Sequence, residues 1–296
     1  MLPVDYRVMI QYAPQTAIDA AANAAYRMPG FASTITPDYS SQHQDDAIFG
    51  KYDLHSSTHT GRLNRLTLNY APFDIEMIER GMLLPDGAGT AEEYLTFIEG
   101  TLIDADLMYR LHVGSIITSQ SGQINRGSFR MTHVYEVSDV SDWVSDHGLT
   151  SYDFVDFDEL PTDPAWSHLN PGEDPCDIND TITDVTDFRW DVNWPLARLE
   201  PNGFFSFKHA RQSARRIGLS LTSYLKDNVL RGYVKDYEDV DIKYRLTGPD
   251  DAAEYELEFT RCRFDRYTQA AQAGANAFAT ETISGICLGG VVINTL

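Results

Sequence analysis

Few side chains in this sequence stand at spacings that do chemistry. His55 and His59 are four residues apart, the separation at which two imidazoles share a helix face and hold zinc. Ser56-Ser57-Thr58 between them offers neither helical drive nor a general base, so the pair reads as part of a polar loop. Gly87-Ala-Gly89-Thr90 lacks the third glycine of a dinucleotide fingerprint and follows no good strand; it reads as a turn. Asp177-Ile-Asn179-Asp180 has the opening of a calcium loop, but the required glycine is missing and Phe188 stands where the bidentate glutamate belongs. Asp180, Asp184 and Asp187 are then solvated acidic surface, with weak cation binding as the alternative. Carboxylate pairs such as Asp104 and Asp106 are expected by chance among 44 acids and single out no acid or base. Cys176, Cys262 and Cys287 are widely spaced, odd in number and free of any CxxC, so they frame neither a zinc site nor a disulfide scaffold. The expectation is a non-enzymatic protein with no catalytic residue, cofactor or metal.

The elements that would carry a function are strands. In Asp239–Thr247, Val240, Ile242, Tyr244 and Leu246 alternate with Asp239, Asp241, Lys243 and Arg245. A period of two sends these sets to opposite faces. After Gly248-Pro-Asp-Asp251, read as a turn, Tyr255, Leu257 and Phe259 alternate with Glu254, Glu256 and Glu258. This is a hairpin with a buried core side and a charged side. Past Phe259 the parity slips, Cys262 and Phe264 falling on the former Glu side, which predicts a bulge.

Along the chain, Tyr6–Tyr12 reads as a strand and Thr16–Arg27 as a thin helix ended by Pro29-Gly30. Residues 31–60 are polar and read as a long loop or extended arm, before a strand over Gly61–Tyr70. Pro72 opens a helix with Ile75, Ile78 and Met82 on one face, and Glu92–Glu99 reads as a second short helix. Leu107–Thr118 and Gly127–Val137 form a strand pair around a turn at Ser119–Gln123, and Asp139–His147 reads as a short helix. Strands follow over Phe188–Trp194, Arg216–Ser223 and Thr282–Thr295, with a hairpin turn at Glu200-Pro-Asn-Gly203 and a loop over Asp265–Ala279. The expected organisation is a first β half over 1–150, an acidic linker or insertion over 151–187, and a second β half over 188–296. Each half repeats a similar order of elements without an aligned residue repeat, which suggests duplication.

The net charge of -21 argues against attraction to nucleic-acid phosphates or anionic lipid. Lysine appears only at Lys51, Lys208, Lys226, Lys235 and Lys243, and an Asp-rich, Lys-poor surface suits solvation at high salt, so a halophilic source is expected. The start, Met-Leu-Pro-Val-Asp-Tyr, has no basic and apolar leader, and no apolar run reaches the length of a membrane span.

Several stretches together resemble a known family. Tyr109-Arg-Leu-His-Val-Gly-Ser-Ile-Ile-Thr118 is similar to its strand entering a glycine before a hairpin, and Trp194-Pro-Leu-Ala-Arg-Leu-Glu-Pro-Asn-Gly203 to the short strand and turn opening its later half. Ser220-Leu-Thr-Ser-Tyr-Leu-Lys-Asp-Asn228 resembles the stretch before its last strands, and Val291-Val-Ile-Asn294 its terminal strand. The family is the tail tube protein of long-tailed, siphovirus-like viruses. The resemblance implies a mainly β fold: β-sandwich or barrel domains with short flanking helices, whose strands join those of neighbouring subunits in one barrel around a lumen. It implies a virion protein made in the host cytoplasm, self-assembling into stacked rings through which the genome passes. Its partners would be itself, as a pseudo-sixfold trimer or a hexamer, and other tail, neck and tip proteins. DNA would pass without sequence-specific binding. On that reading Asp239, Asp241, Lys243, Arg245, Glu254, Glu256 and Glu258 are candidates for the lumen or an inter-subunit face. The acidic stretch 151–187 departs from the family pattern. Alternatives are another virion subunit (tail tip, connector or capsid-associated) and a surface adhesive β protein.

Overall fold

Alternation of apolar and polar side chains dominates the chain, and the structure, a computed structural model, is accordingly mainly β. It describes residues 9–15, 18, 20–23, 26–46, 56–73, 75–82, 94–103, 106–125, 128–149, 169–199, 208–211, 215–225, 229–248, 254–270 and 279–296. In chain order the elements are β1 (Met9–Gln15), β2 (Gly30–Asp46), β3 (Ser56–Pro72), α1 (Glu76–Met82), β4 (Tyr94–Ile103), β5 (Asp106–Asn125), β6 (Ser128–Val137) and β7 (Asp139–Val140). There follow β8 (Asn170–Ile178), β9 (Thr181–Ile182), β10 (Val185–Asn193), β11 (Leu196–Leu199), β12 (Lys208–Arg211), β13 (Arg216–Tyr224), α2 (Val229–Asp236), β14 (Asp239–Thr247), β15 (Glu254–Ala270) and β16 (Thr280–Thr295).

One antiparallel sheet takes in all of these strands except the separate β11–β12 hairpin. Its connectivity repeats. In the first half β1 pairs β4, β4 pairs β5, β5 pairs β6, β6 pairs β3 and β3 pairs β2, with α1 between β3 and β4. In the second half β8 pairs β14, β14 pairs β15, β15 pairs β16, β16 pairs β13 and β13 pairs β10, with α2 between β13 and β14. The two patterns match strand for strand. They are joined where β5 pairs β10, from Asp187↔Asn125 to Asn193↔Ser119. Following the antiparallel pairs across the sheet, β2 and β10 run the same way, so the β2–β3 and β10–β13 hairpins leave from the same end.

Each half folds into two layers. β5 pairs β4 along its first part and β10 along its last, so the sheet turns a corner in mid-strand. β15 does the same, leaving β14 at Arg263 while staying on β16 as far as Ala270. The slip in parity predicted past Phe259 is a bulge at Arg261, whose φ is 52° and which interrupts both registers. Between the layers lies the core. Phe188 of β10 stacks on Tyr244 of β14 at 4.8 Å, and Phe97 of β4 meets Tyr135 of β6 edge-on at 4.7 Å. A row of paired residues crosses the junction in one face: Tyr70, Met131, Gly122, Trp190, Leu219, Gly285 and Phe264. Both helices lie on this core side. Trp194 Nε1–H donates to Gly81 O of α1 at 2.8 Å, and Leu230 of α2 is buried in the main core.

Several expected elements take a different form. Tyr94–Glu99, the described part of the helix expected over Glu92–Glu99, belongs to strand β4: Leu95 and Phe97 enter the main core while Ile98 enters a second cluster with Ala13, Ala22, Tyr26 and Leu111, so burial on both faces mimics helical spacing. Ser119–Gln123 is not a turn but the middle of β5, which runs unbroken to Asn125. Its polarity is that of a wet face, and buried Gln120 is held by the carbonyls of Met77 and Ile78 in α1 at 3.5 and 3.3 Å. The described part of Thr16–Arg27 is irregular, with Ala22 N–H donating to Thr96 Oγ1 and Arg27 bridged to Tyr12. Residues 31–46 and 56–60 are strand rather than loop. Asp139–His147 is short β7 plus a bridge from Val144 to Tyr109, not a helix. Within 151–187, Asn170–Ile178 forms β8, an edge strand on β14 in which Pro171 and Pro175 are tolerated. Asp265–Ala270 continues β15 instead of starting a loop. The helix expected after Pro72 is present but begins at Glu76. The turns expected at Gly248–Asp251 and Glu200–Gly203 fall, beyond Gly248, outside the described residues, as do Gly87–Thr90 and His55.

Candidate functional site

The core side of the sheet demands large apolar side chains, and the period of two leaves the alternate residues of the same strands on the other side. On β5 these are Ser119, Ser121, Gln123 and Asn125; on β6, Ser128, Arg130, Thr132 and Val134; on β10, Asp187, Arg189, Asp191 and Asn193. β13 adds Arg216, Gly218, Ser220 and Thr222, and β16 adds Thr282, Ser284 and Ile286. On the first half's hairpin, Arg65, Thr67 and Asn69 of β3 pair with Asp38, Thr36 and Thr34 of β2. The side chains are short and hydroxyl-rich, and neither helix packs here.

Charge on this face is nearly balanced, in contrast to the whole chain. Arg65, Arg130, Arg189, Arg216 and Arg266 stand against Asp38, Glu136, Asp187, Asp191 and Asp265. Arg189 and Asp187, two apart on β10, pair at 2.6 Å, and that hydrogen bond holds the Arg189 guanidinium above its ordinary pKa. Thr222 and Thr282 hydroxyls meet across β13 and β16 at 2.9 Å. A shallow polar trough of about 640 Å³ runs over the centre of the face, lined by Ser121, Gln123, Arg130, Arg189, Asp191, Arg216, Ser220 and Ser284 among others. It crosses from β6 to β16 and so spans the junction between the halves. Among the described residues, no group of three or more His, Cys, Asp or Glu converges as metal ligands.

Two strands of the sheet, β2 and the last part of β15, present open backbone among the described residues. Among the described residues β2 pairs only with β3, leaving its other edge without a strand. β15 from Phe264 to Ala270 pairs only with β16, although the matching part of β5 pairs with β10. Exposed peptide groups of this kind are templates for another strand.

The charged residues singled out from the sequence lie elsewhere. Asp239, Asp241, Lys243, Arg245, Glu254, Glu256 and Glu258 are on β14 and the first part of β15, past the bulge at Arg261 and on the outside of the second layer. They form a ladder of pairs: Asp239 with Arg263 at 2.7 Å, Arg245 with Glu256 at 3.5 Å, and Lys243 with Asp180 at 3.2 Å. Asp241 accepts from Arg261 N–H at 2.8 Å and so pins the bulge. Glu256 is buried while Glu254 is exposed. On the core side, Val240, Ile242, Tyr244, Leu246, Leu257 and Phe259 are buried and Tyr255 is half-buried. The hydroxyl-rich face has no local signature because its residues are spread over eight strands; the signal that marks it is the non-core parity of each strand taken together.

Comparison with known proteins adds little. No family model matches the chain, and no curated protein does. Among solved structures, one similar chain is described as the tail of an empty GTA particle computed with helical refinement in C6 symmetry. It shares 14% identity, covers 38% of this chain and 84% of its own length, and gives a TM-score of 0.30. No described helix is long and apolar enough to cross a membrane.

Proposed function

We propose that this chain is a non-enzymatic structural subunit of a virus tail: copies join edge to edge into a ring, and stacked rings make the tube through which the genome passes. The observation that carries this reading is the β5–β10 junction. There the last part of β5 in one repeat pairs with β10 of the next, and two open edges among the described residues, β15 at Phe264–Ala270 and β2, are the corresponding strands. Both repeats point the same way and share one core side, so the step between them is head to tail. Such a contact, repeated, closes into a ring when its rotation permits.

Strand spacing sets the size. The β2–β3–β6–β5 and β10–β13–β16–β15 groups give eight strands per copy, and three copies at about 4.8 Å per strand give a circumference of roughly 115 Å, or about 37 Å across between backbones, before tilt widens it. That leaves a lumen for a nucleic-acid duplex, in a ring of threefold symmetry with six similar repeats. The helix-free face belongs inside, because the second layer and both helices need the larger outer radius. A lining of short hydroxyls with nearly balanced charge gives phosphates little to bind and little to climb over. The acidic excess then lies on the outside, where it suits a high-salt source, and the ends of the tube would meet neck and tip proteins.

Negative-stain imaging and native mass measurement of the purified full chain test the reading. The expected result is rings or tubes of three copies with six similar lobes. A chain that stays monomeric at every salt concentration, or a ring of six copies, overturns it.

A further inference from the structure

Cys262 and Cys287 are register partners on the adjacent antiparallel strands β15 and β16. Directly opposed residues in such a pair have Cα atoms roughly 4.5–5.5 Å apart, inside the range a disulfide spans. Both lie in one row on the core side, between Ile217 of β13 and Val240 of β14. The two thiols stand within hydrogen-bonding reach of each other. Cys262 Sγ is buried, 3.3 Å from Phe259 O; Cys287 Sγ is half-buried, 3.3 Å from Thr260 O and 3.0 Å from Gly290 O. Beside Cys287 the chain opens to solvent at Leu288, which is 44% exposed. Arg215 stands near, its guanidinium over the Trp194 ring at 5.4 Å and its Nη1 buried without a hydrogen-bond partner among the described residues.

We propose that Cys262 and Cys287 are a thiol–disulfide exchange site, with Cys287 the attacking sulfur, Cys262 the resolving one, and a small organic disulfide the oxidant. The proposal does not depend on ring assembly. The Cys262 hydrogen bond pulls the Cys287 thiol down against burial, helped by the Gly290 and Gly289 backbone and by Arg215. The same hydrogen bond, with burial, pushes Cys262 up. Of the two, the more accessible sulfur is therefore the one that ionises first, which is the arrangement of a reactive cysteine. In the first step the Cys287 thiolate attacks the small disulfide, forming a mixed disulfide and releasing one thiolate, which takes a proton from solvent. In the second, Cys262 loses its proton and attacks Cys287 Sγ, expelling the other half of the oxidant as its thiol. The balance is two protein thiols oxidised to one disulfide and one small disulfide reduced to two thiols. Cys176, buried and pushed up to about 12 by burial, takes no part.

The test uses the folded full chain with oxidised glutathione, followed by alkylation and mass mapping. The expected product has lost two hydrogens, links Cys262 to Cys287, and leaves Cys176 to alkylate only after unfolding. Cys262→Ser should stop at a glutathione adduct on Cys287, and Cys287→Ser should give no adduct at Cys262. A stable adduct in the unsubstituted chain, no reaction at all, or a link formed only in denaturant would each overturn the proposal.

Discussion

Gly122 of β5 and Trp190 of β10 face each other across the junction between the repeats, and the indole fills the space that any side chain at 122 would need. Trp190 is 1% exposed and packs on Phe129, Phe188 and Phe259, so it has nowhere to retreat. Gly122→Ala should therefore destabilise the subunit by about 1–3 kcal/mol through overpacking. Urea unfolding followed by Trp fluorescence measures this, and Trp190→Leu in the same chain should recover part of the loss. An unchanged midpoint in Gly122→Ala would mean the junction is looser than its geometry.

The open edge of β2 has a natural gap. Pro37 stands opposite Leu66 of β3 and has no N–H to give, so position 37 belongs to the set whose peptide groups face away from β3. Ile35, two residues earlier, shares that orientation and offers an N–H to an incoming strand. Ile35→Pro removes the donor and should leave folded monomers that no longer form rings, while Ile35→Ala, which keeps the N–H, should still assemble. Rings of normal size from Ile35→Pro would place the contact elsewhere.

His133 is fully buried among the hydroxyls of Tyr70 and Tyr135, and burial pushes its pKa down to about 3. The folded chain keeps this imidazole neutral, whereas the unfolded chain takes up a proton below about pH 6.5. Stability contributed here is thus complete above pH 6.5 and declines from there towards pH 3. Buried His112, also held low by burial, acts in the same sense. One such histidine removes about 2 kcal/mol between pH 7 and pH 5. Denaturant titrations at both pH values should show the loss in the native sequence and a shallower slope in His133→Gln.

Two glutamates that look equivalent in the alternating sequence differ in the structure. Glu254 is exposed, while Glu256 is 8% exposed and 3.5 Å from Arg245. Glu254→Lys should change stability by no more than about 0.5 kcal/mol, and Glu256→Lys should cost about 1–3 kcal/mol by setting two cations together in a half-dry site. Equal effects in thermal or urea unfolding would contradict the burial difference.

How much of this was legible depended on how many faces of a strand are buried. β14 shows one buried face, and its bounds and core residues follow from Val240, Ile242, Tyr244 and Leu246 alone. β4 is buried on both faces, and Leu95, Phe97 and Ile98 then lose their period of two. The middle of β5 failed for the opposite reason: its core side carries Gln120 and Gly122, a glutamine held by helix carbonyls and a glycine under an indole, so no apolar alternation survives. The repeat is carried by pairing order and not by matching residues, and pairing order has no local signature. The hydroxyl-rich face was invisible for the same reason, since each strand contributes only a few unremarkable Ser, Thr or Asn residues.

The shared direction of the β2–β3 and β10–β13 hairpins has a consequence for growth. A ring built from such subunits has two unlike rims, one carrying the β2–β3 and β10–β13 connections and the other the β5–β6 and β15–β16 hairpins. A stack of these rings is a vectorial polymer: its ends are chemically different, each can be started or capped by its own partner, and length can be governed at one end without touching the other.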